Sequence, residues 1–455
     1  KTGLQLAMID PLGLATYYYY NKRRECLFSI NRNGIITESK YSGIHKKEIS
    51  KRVYHNRLPL AKIPVSNNGF LTKSMVEKII ALRSQKDAIT ATSYNRRGLE
   101  QSRIDPDGNL VEIEYEAFQK ECFRREQIDS DQFKQTQTLY NKRALPSKII
   151  EDPQGADQCV TEIEHYFNIE VVLVIVEGLL FDTKRDRLGR ETPSLAPYDT
   201  AIITECDAFD RKLSVTDQNM RKTTFQFKTG VRQLAIISPG GKRTVTVFNV
   251  LMQKRWQQLD DSPGEGFVYS ASGMLTDYTD KAGRVTHRDF NLLNLLESHQ
   301  SPGEPKLNYF YDLDHHLHIA EEESGDKTVA LHFTPNSQGL AVQKEDAKGT
   351  KTVIDRNLRG QPVATTIYPK SVDKPNALNL VSQTPRNGLG LPTAFIRGDG
   401  EQAEQYREDY HYNNQGALSQ TVVDPSGLAL ATKKFLNHQK KVSLVIHPDN
   451  TREFF

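Results

Sequence analysis

The sequence predicts an all-β chain made of antiparallel hairpins that recur about every twenty residues. Two observations predict it. The first is a four-residue turn, Asp-Pro-x-Gly, that occurs four times: Asp10-Pro11-Leu12-Gly13, Asp105-Pro106-Asp107-Gly108, Asp152-Pro153-Gln154-Gly155 and Asp424-Pro425-Ser426-Gly427. Looser copies join Asn31 to Gly34, Asp280 to Gly283 and Asp346 to Gly349. The second is an aromatic residue followed by Asn or Asp and then by Gly or Leu. Tyr94-Asn95-Arg96-Arg97-Gly98-Leu99 and Tyr412-Asn413-Asn414-Gln415-Gly416 are the clearest copies.

The turn has a physical basis. The Asp side chain can accept a backbone N–H two residues on, Pro presets φ at the second position, and Gly tolerates the conformation that leaves the turn. Branched and aromatic residues on both flanks make it a link between strands. Degraded copies of the aromatic signal start at Tyr140 (ending at Leu145), Tyr269 (with Gly273), Phe333 (with Gly339), Phe209 and Tyr311.

Spacing ties the two signals together. Asp105 follows Tyr94 by 11 positions, Asp152 follows Tyr140 by 12, Asp280 follows Tyr269 by 11 and Asp424 follows Tyr412 by 12. A further aromatic follows the turn, as Tyr115 does after Asp105 and Phe435 after Asp424. Each repeat is therefore two strands and two turns.

These residues resemble the YD repeats of RHS proteins. That family includes bacterial polymorphic toxins, the B and C subunits of insecticidal toxin complexes, and animal teneurins. The resemblance runs from Asp10 to about Phe455. It is strongest at 94–115 and 412–435, and weakest at 43–91 and 156–204. It implies that the hairpins coil into a spiralling sheet that forms part of a hollow shell. It implies a cargo: a toxin domain C-terminal to the shell. The other implied partners are the remaining shell and a toxin-complex translocation subunit. A secreted protein, or one delivered by a bacterial secretion system, follows from the same resemblance. The family's autoprotease core matches no segment here, so the resemblance implies enclosure without cutting.

Composition agrees with a sheet that is wet on one face. Of 455 residues, 37% are hydrophobic and 26% charged. The net charge of +3 is too small and too evenly spread to point to nucleic acid or an acidic membrane. Cys26, Cys122, Cys159 and Cys206 lie far apart and form neither a zinc knuckle nor a disulfide framework. The absence of an Asn-x-Ser/Thr sequon favours the bacterial branch of the family. The longest apolar run, 171–176, is far short of a membrane span and reads as a buried strand. The repeats start and stop so near the chain ends that the sequence reads as a piece of a longer protein.

Along the chain, the whole of 1–455 reads as one array. Residues 16–20 and 26–30 are its first clear strands. Residues 34–92 are either divergent repeats or a small insertion, with Ser74-Met75-Val76-Glu77 as a possible capped helix start. Val111, Ile113 and Tyr115 alternate with Glu112 and Glu114, the period-two mark of a half-buried strand. Residues 183–198 are rich in charge and Pro and read as an exposed loop. Residues 225–248 give strands around the turn Ser238-Pro239-Gly240-Gly241, and 301–305 reads as a loop. Residues 368–391 read as a loop or insertion.

Candidate chemistry is sparse. Asp312, Asp314, His315, His316 and His318 form the one dense group of possible metal ligands, and His316 and His318 would share a strand face. The group lies inside an aromatic-Asp repeat, where a polar turn is expected anyway, and that is the preferred reading. The Asp-Pro carboxylates sit where turns want them, which leaves no need for acid–base chemistry. Ser238–Arg243 lacks the spacing of a phosphate-binding loop. The 19 Tyr and 19 Phe could stack on sugars, so an extracellular carbohydrate-binding or adhesion module is the alternative reading. An aromatic ladder between strands is the plainer one. No cofactor and no catalytic residue are expected.

Overall fold

In a computed structural model the chain is almost entirely antiparallel β. The structure describes residues 3–64, 68–155, 158–165, 171–176, 179–185, 191–195, 202–217, 219–324, 327–369, 379–399, 406–436 and 441–454. Strands follow one another in strict chain order, 15 in a first sheet and 23 in a second, and neither sheet closes into a barrel. Every pairing joins a strand to the next one, so the chain is a long ribbon of hairpins.

One turn geometry recurs along it. In the copy at Asn95, the Asn95 N–H donates to Leu99 O and the Gly98 N–H donates back to Asn95 O, both at 2.9 Å. Asn95 Oδ1 accepts from the N–H groups of Arg97 and Leu99. The residue at the fourth position is left-handed, with φ of +77° at Gly98. This is a type I turn closed by a left-handed bulge residue, a favoured three-residue hairpin loop. Asn21, Asp105, Asp207, Asp280, Asn336, Asn387 and Asn413 build the same turn with the same side-chain oxygen.

Turns alternate between the two edges of the ribbon. One edge carries those starting at Asp10, Asn31, Asp105, Asp152, Asp217, Asp280, Asp346 and Asp424, here called the Asp row. The other carries those at Asn21, Asn95, Asn141, Asn249, Ser270, Asn291, Asp312, Asn336, Asn357, Asn387 and Asn413, here called the Tyr row.

The repeat tyrosine stands just before a Tyr-row turn, where the pairing register slips by one residue. Its hydroxyl reaches back to the carbonyl of the residue leaving an earlier turn on the same edge. Tyr94 donates to Glu48 O, Tyr140 to Glu121 O, Tyr269 to Lys254 O, Tyr311 to Leu296 O and Tyr412 to Pro392 O, at 2.6–2.9 Å. Arg356 and Arg386 replace the tyrosine in two repeats and donate to the equivalent carbonyls, Ala341 O and Pro362 O. The register slip disturbs the ladder at this point, and the long side-chain donor supplies a hydrogen bond to the carbonyl there.

The four Asp-Pro-x-Gly copies fold in two ways. At Asp10 and Asp105 the glycine is left-handed. At Asp152 and Asp424 the aspartate itself is left-handed, with φ of +52° and +51°, and its N–H joins the sheet, donating to Gln135 O and Arg407 O. There Gly155 is needed for space, because a Cβ would lie 1.9 Å from Asp152 Oδ2. The motif alone does not separate the two geometries.

Residues 183–198 differ from the loop expected of them. They contain the end of the strand Leu179–Arg185 and all of the strand Glu191–Leu195, paired antiparallel. Charge does not exclude a strand from a single-layer sheet, where either face can hold it in water. Residues 186–190 and 196–198 lie outside the described residues. In 368–391, the strand Leu380–Gln383 and the turn at Asn387 lie in the sheet, and 370–378 lie outside the described residues.

Residues 34–92 carry two more strands of the ribbon, Ile36–Tyr41 and Glu48–Val53, followed by a fold-back segment that ends at the strand Ala88–Tyr94. That segment holds the single α-helix among the described residues, Lys73–Ile80, capped by Thr72 rather than Ser74. It lies over one face of the first strands. Tyr19, Phe28, Ile30, Ile36, Tyr54, Leu58 and Ile79 form the main apolar core there. Burial pushes the Tyr54 hydroxyl up to about 12, and that hydroxyl donates to Glu38 Oε2. Gly34 lets the segment cross: a Cβ would lie 1.8 Å from Leu58 O.

Elsewhere the wall is one layer thick. The chain exposes 28128 Å², against roughly 17,000 Å² for a compact chain of its size. The two faces of the second sheet differ. Register places Phe225, Phe227, Phe267, Tyr278, Tyr309, Phe333 and Tyr410 on one face. Asp277, His287, Asp289, Ser298, Asn308 and Glu321 stand on the other.

Ala144 occupies the left-handed position of its turn, with φ of +59°. An L side chain there costs about 1 kcal/mol that glycine avoids. Ala144→Gly is expected to raise the denaturation midpoint, as measured by urea unfolding. A lowered midpoint would show that the Asn141 cap already removes the strain.

Candidate functional site: the seam between windings

The ribbon returns to meet itself. Asp-row turns of the first sheet touch Tyr-row turns of the second, in matching order, across sequence separations of 251–305 residues. One winding therefore takes roughly 280 residues. Asp10 meets His315, and Asn31 and Asn33 meet Asp314. Arg57 meets Asn336, and Asp105 and Asp107 meet Arg359. Ile128 meets Gly388, and Gln132 and Asp152 meet Asn414.

The aspartate of the Asp row serves both directions. Asp10 Oδ1 accepts from the Leu12 and Leu14 N–H groups and shapes its own turn. Its Oδ2 lies 2.7 Å from His315 Nε2 of the other winding. Asp105 repeats this, with Oδ1 on Asp107 and Asn109 and Oδ2 at 3.2 Å from Arg359 Nη1. Asp152 Oδ2 accepts from Asn414 Nδ2 at 3.4 Å. Partial burial disfavours the Asp10 carboxylate, but the Leu14 and Leu12 N–H groups and the His315 ring outweigh it, and the carboxyl falls below its usual range.

Arg359 is the densest joint. Its Nε donates to Asp107 Oδ2 at 2.8 Å, while Nη1 and Nη2 donate to Gly388 O and Asn387 O. The Leu358 N–H donates to Asp107 Oδ1. One planar guanidinium thus joins two Tyr-row turns to one Asp-row turn. Where the fold-back segment replaces an Asp-row turn, the seam opens into a cavity of about 1010 Å³, bordered by Val53, His55, Arg57, Lys86, Asn336 and Leu358.

The structure brings Asp10, Asp105 and Asp152 to the seam, with Pro11, Pro106 and Pro153 beside them. Asp280 and Asp424, with Pro425 and Gly427, stand on the same edge further along. Asp280 Oδ2 pairs with its own Arg284 at 2.7 Å. Tyr115 ends the strand Leu110–Tyr115, where burial raises its hydroxyl. Gly108, Gly273, Gly283 and Gly416 are all left-handed turn residues. His316 and His318 take different partners. His316 Nδ1 is 3.4 Å from Asp312 Oδ2 in its own turn, and His318 Nδ1 donates to Phe333 O at 2.9 Å. Among the described residues no group of three or more metal-ligand side chains is found, and the four cysteines are free thiols. Among the described residues no helix is long and apolar enough to cross a membrane.

Arg359, Asp107, Asn414 and Gln132 were not legible as site residues, and Asp314 and His315 stood out only as possible metal ligands, not as seam residues. Nothing local marks the seam role, because each acts on a turn more than 250 residues away. A charged group lies on the polar face of the second sheet: His287 Nδ1 is 2.6 Å from Asp277 Oδ1 and its Nε2 is 3.0 Å from Asp289 Oδ1. The Asp277 hydrogen bond raises the imidazole above its ordinary value of 6.5, against partial desolvation and with help from Asp289.

No family model matches this chain, and no curated protein does. Solved structures do. A crystal structure of TcdB2-TccC3 without its hypervariable C-terminal region superposes with a TM-score of 0.68 over 98% of this chain, at 12% identity. The Photorhabdus luminescens Tc holotoxin pore carrying TccC3-D651A gives 0.66 over 97%, also at 12% identity. This chain spans about a quarter of the length of those chains.

Two measurements test the site. Asp107→Ala, Arg359→Ala and the double variant form a cycle, and a coupling of about 1 kcal/mol in urea unfolding is expected; a value at zero would show the joint to be idle. For His287, a raised folded pKa stabilises the fold below the ordinary imidazole value, and the gain disappears as pH rises through the folded pKa. His287→Gln is therefore expected to be destabilising at about pH 5 and neutral at about pH 9. An equal loss at both would remove the charge from the explanation. The fold of this chain is that of the matching part of these toxin-complex chains.

Proposed function

We propose that this chain is a segment of a wound shell that encloses a toxin domain carried C-terminal to it and helps deliver it. The seam supports the reading. A single-layer ribbon that meets its own edge by paired turns makes a wall, and a wall has use where something is kept apart from water or protease. The likeness to TcdB2-TccC3 chains supports it at the level of fold. Its partners on this reading are the rest of the shell, the cargo and a translocation subunit, with secretion or injection as the route. The chain itself encloses and performs no chemistry.

The repeat tyrosines do not favour a sugar-binding surface. Their hydroxyls are bound to backbone carbonyls and stiffen the ribbon edge.

Limited proteolysis of the whole polypeptide, with its C-terminal domain, tests the proposal. The C-terminal domain is expected to be cut no faster than the shell, and Arg359→Asp is expected to speed its digestion by opening the seam. A C-terminal domain that is digested while the shell stays whole would sink the reading.

A further inference from the structure

The seam is broken at one place. Hydrogen bonds join the windings on either side of it, from Asn33 to Asp314 and from Arg359 to Asp107. Between them the fold-back segment stands in for an Asp-row turn, and one described bond crosses: Arg57 Nη2 donates to Asn336 O at 3.3 Å. The segment does not fill the gap, because it packs back on its own sheet. Its Leu58 and Ile79 lie against Tyr19, Phe28, Ile30 and Ile36. What remains is the cavity of about 1010 Å³, a volume of the order that holds a drug-sized molecule.

The margins of the cavity belong to both faces of the wall. Val342 and Ile354 line it from the face that carries Phe333. Gln343 and Val353, a directly opposed pair, line it from the other face. The second sheet is a single layer, so a space bordered by both of its faces connects them. The rim is cationic. His55, Arg57 and Lys86 stand exposed on it, and among the described residues no carboxylate pairs with them. Of the two carboxylates that face them, Asp312 has its Oδ2 3.4 Å from His316 Nδ1, and Asp355 is exposed. We propose that this gap is a window through the wall, which passes water and small neutral or anionic solutes and holds back folded protein. An excess of cationic groups around an opening concentrates anions there. The inference rests on the wound-shell reading and sharpens it: the wall sorts by size, so an enclosed domain meets the ions and pH of the outer medium while protease stays out.

Thiol reagents of two sizes test it. Val268→Cys and Val329→Cys put a reporter on each face of the second sheet, so a closed shell turns one of them inward. Each is made in the whole polypeptide, with the parent's native cysteines as background. A polymer-linked maleimide is expected to modify one reporter and spare the other, while a small methanethiosulfonate anion modifies both. Ala88→Trp with Val353→Trp narrows the gap, and is expected to slow the anion at the spared reporter at least about tenfold while the polymer stays excluded. His55→Glu with Lys86→Glu changes two exposed rim positions, and is expected to shift the rates there about tenfold toward a cationic methanethiosulfonate. If the narrowed variant admits the polymer, its wall has failed and the charge pair alone decides. A spared reporter that the small anion cannot reach, or whose rates stay the same when the gap is narrowed or recharged, would overturn the window and leave the shell standing. Polymer labelling of both reporters in the parent background would show that no closed shell forms, and would overturn the wound-shell reading and the window with it.

Discussion

The structure depends on one side-chain oxygen placed at the start of each turn. An Asn or Asp there accepts two N–H groups of its own loop, and so fixes a three-residue turn whose left-handed exit matches the twist of the strands. Without that cap, each hairpin would have a choice of loop lengths, and a slip of one residue would exchange the two faces of the sheet. The cap acts locally, so dozens of strands can follow one another in register without a deep core to align them.

This has energetic consequences. A one-layer wall buries little, and the main apolar cluster lies where the fold-back segment covers the first strands. Elsewhere stability is a sum of neighbour-to-neighbour terms, as in other repeat proteins: cross-strand pairs, turn caps and the tyrosine-to-carbonyl bonds that link successive turns. Such a ribbon tolerates irregular repeats. Arg can replace Tyr at Arg356 and Arg386 because the demand is for a long donor and not for an aromatic ring. Ala, Arg, Met or His can replace Gly at the fourth turn position because the cap offsets the cost of a left-handed L residue.

The seam turns a ribbon into a wall. Its chemistry follows from the turns. At Asp10 and Asp105 one carboxylate oxygen is consumed within the turn and the other faces outward. An asparagine has a single acceptor oxygen, which the turn uses. This gives a physical reason for the Asp10 and Asp105 carboxylates to stand on the edge that meets the Tyr row of another winding, while asparagine predominates on the tyrosine edge. Likeness in fold to the toxin-complex chains, at 12% identity, agrees with this view: the fold is shared where most side chains are not.

The repeat, the hairpin unit, the all-β class and most turn positions were legible in the sequence, because each is set by residues within five positions of one another. Tyr94-Asn95 and Asp105-Pro106 carry their turn with them wherever they stand. Three things were decided only by tertiary structure. The strands in 183–198 hide behind charge and proline, since a wall wet on its faces does not demand apolar alternation. The two geometries of Asp-Pro-x-Gly depend on whether the aspartate N–H joins the neighbouring strand. The pairing of Asp107 with Arg359, and of Asp10 with His315, depends on how many residues one winding takes. That number is set by the accumulated twist and curvature of all the strands between them, which no local pattern of residues encodes.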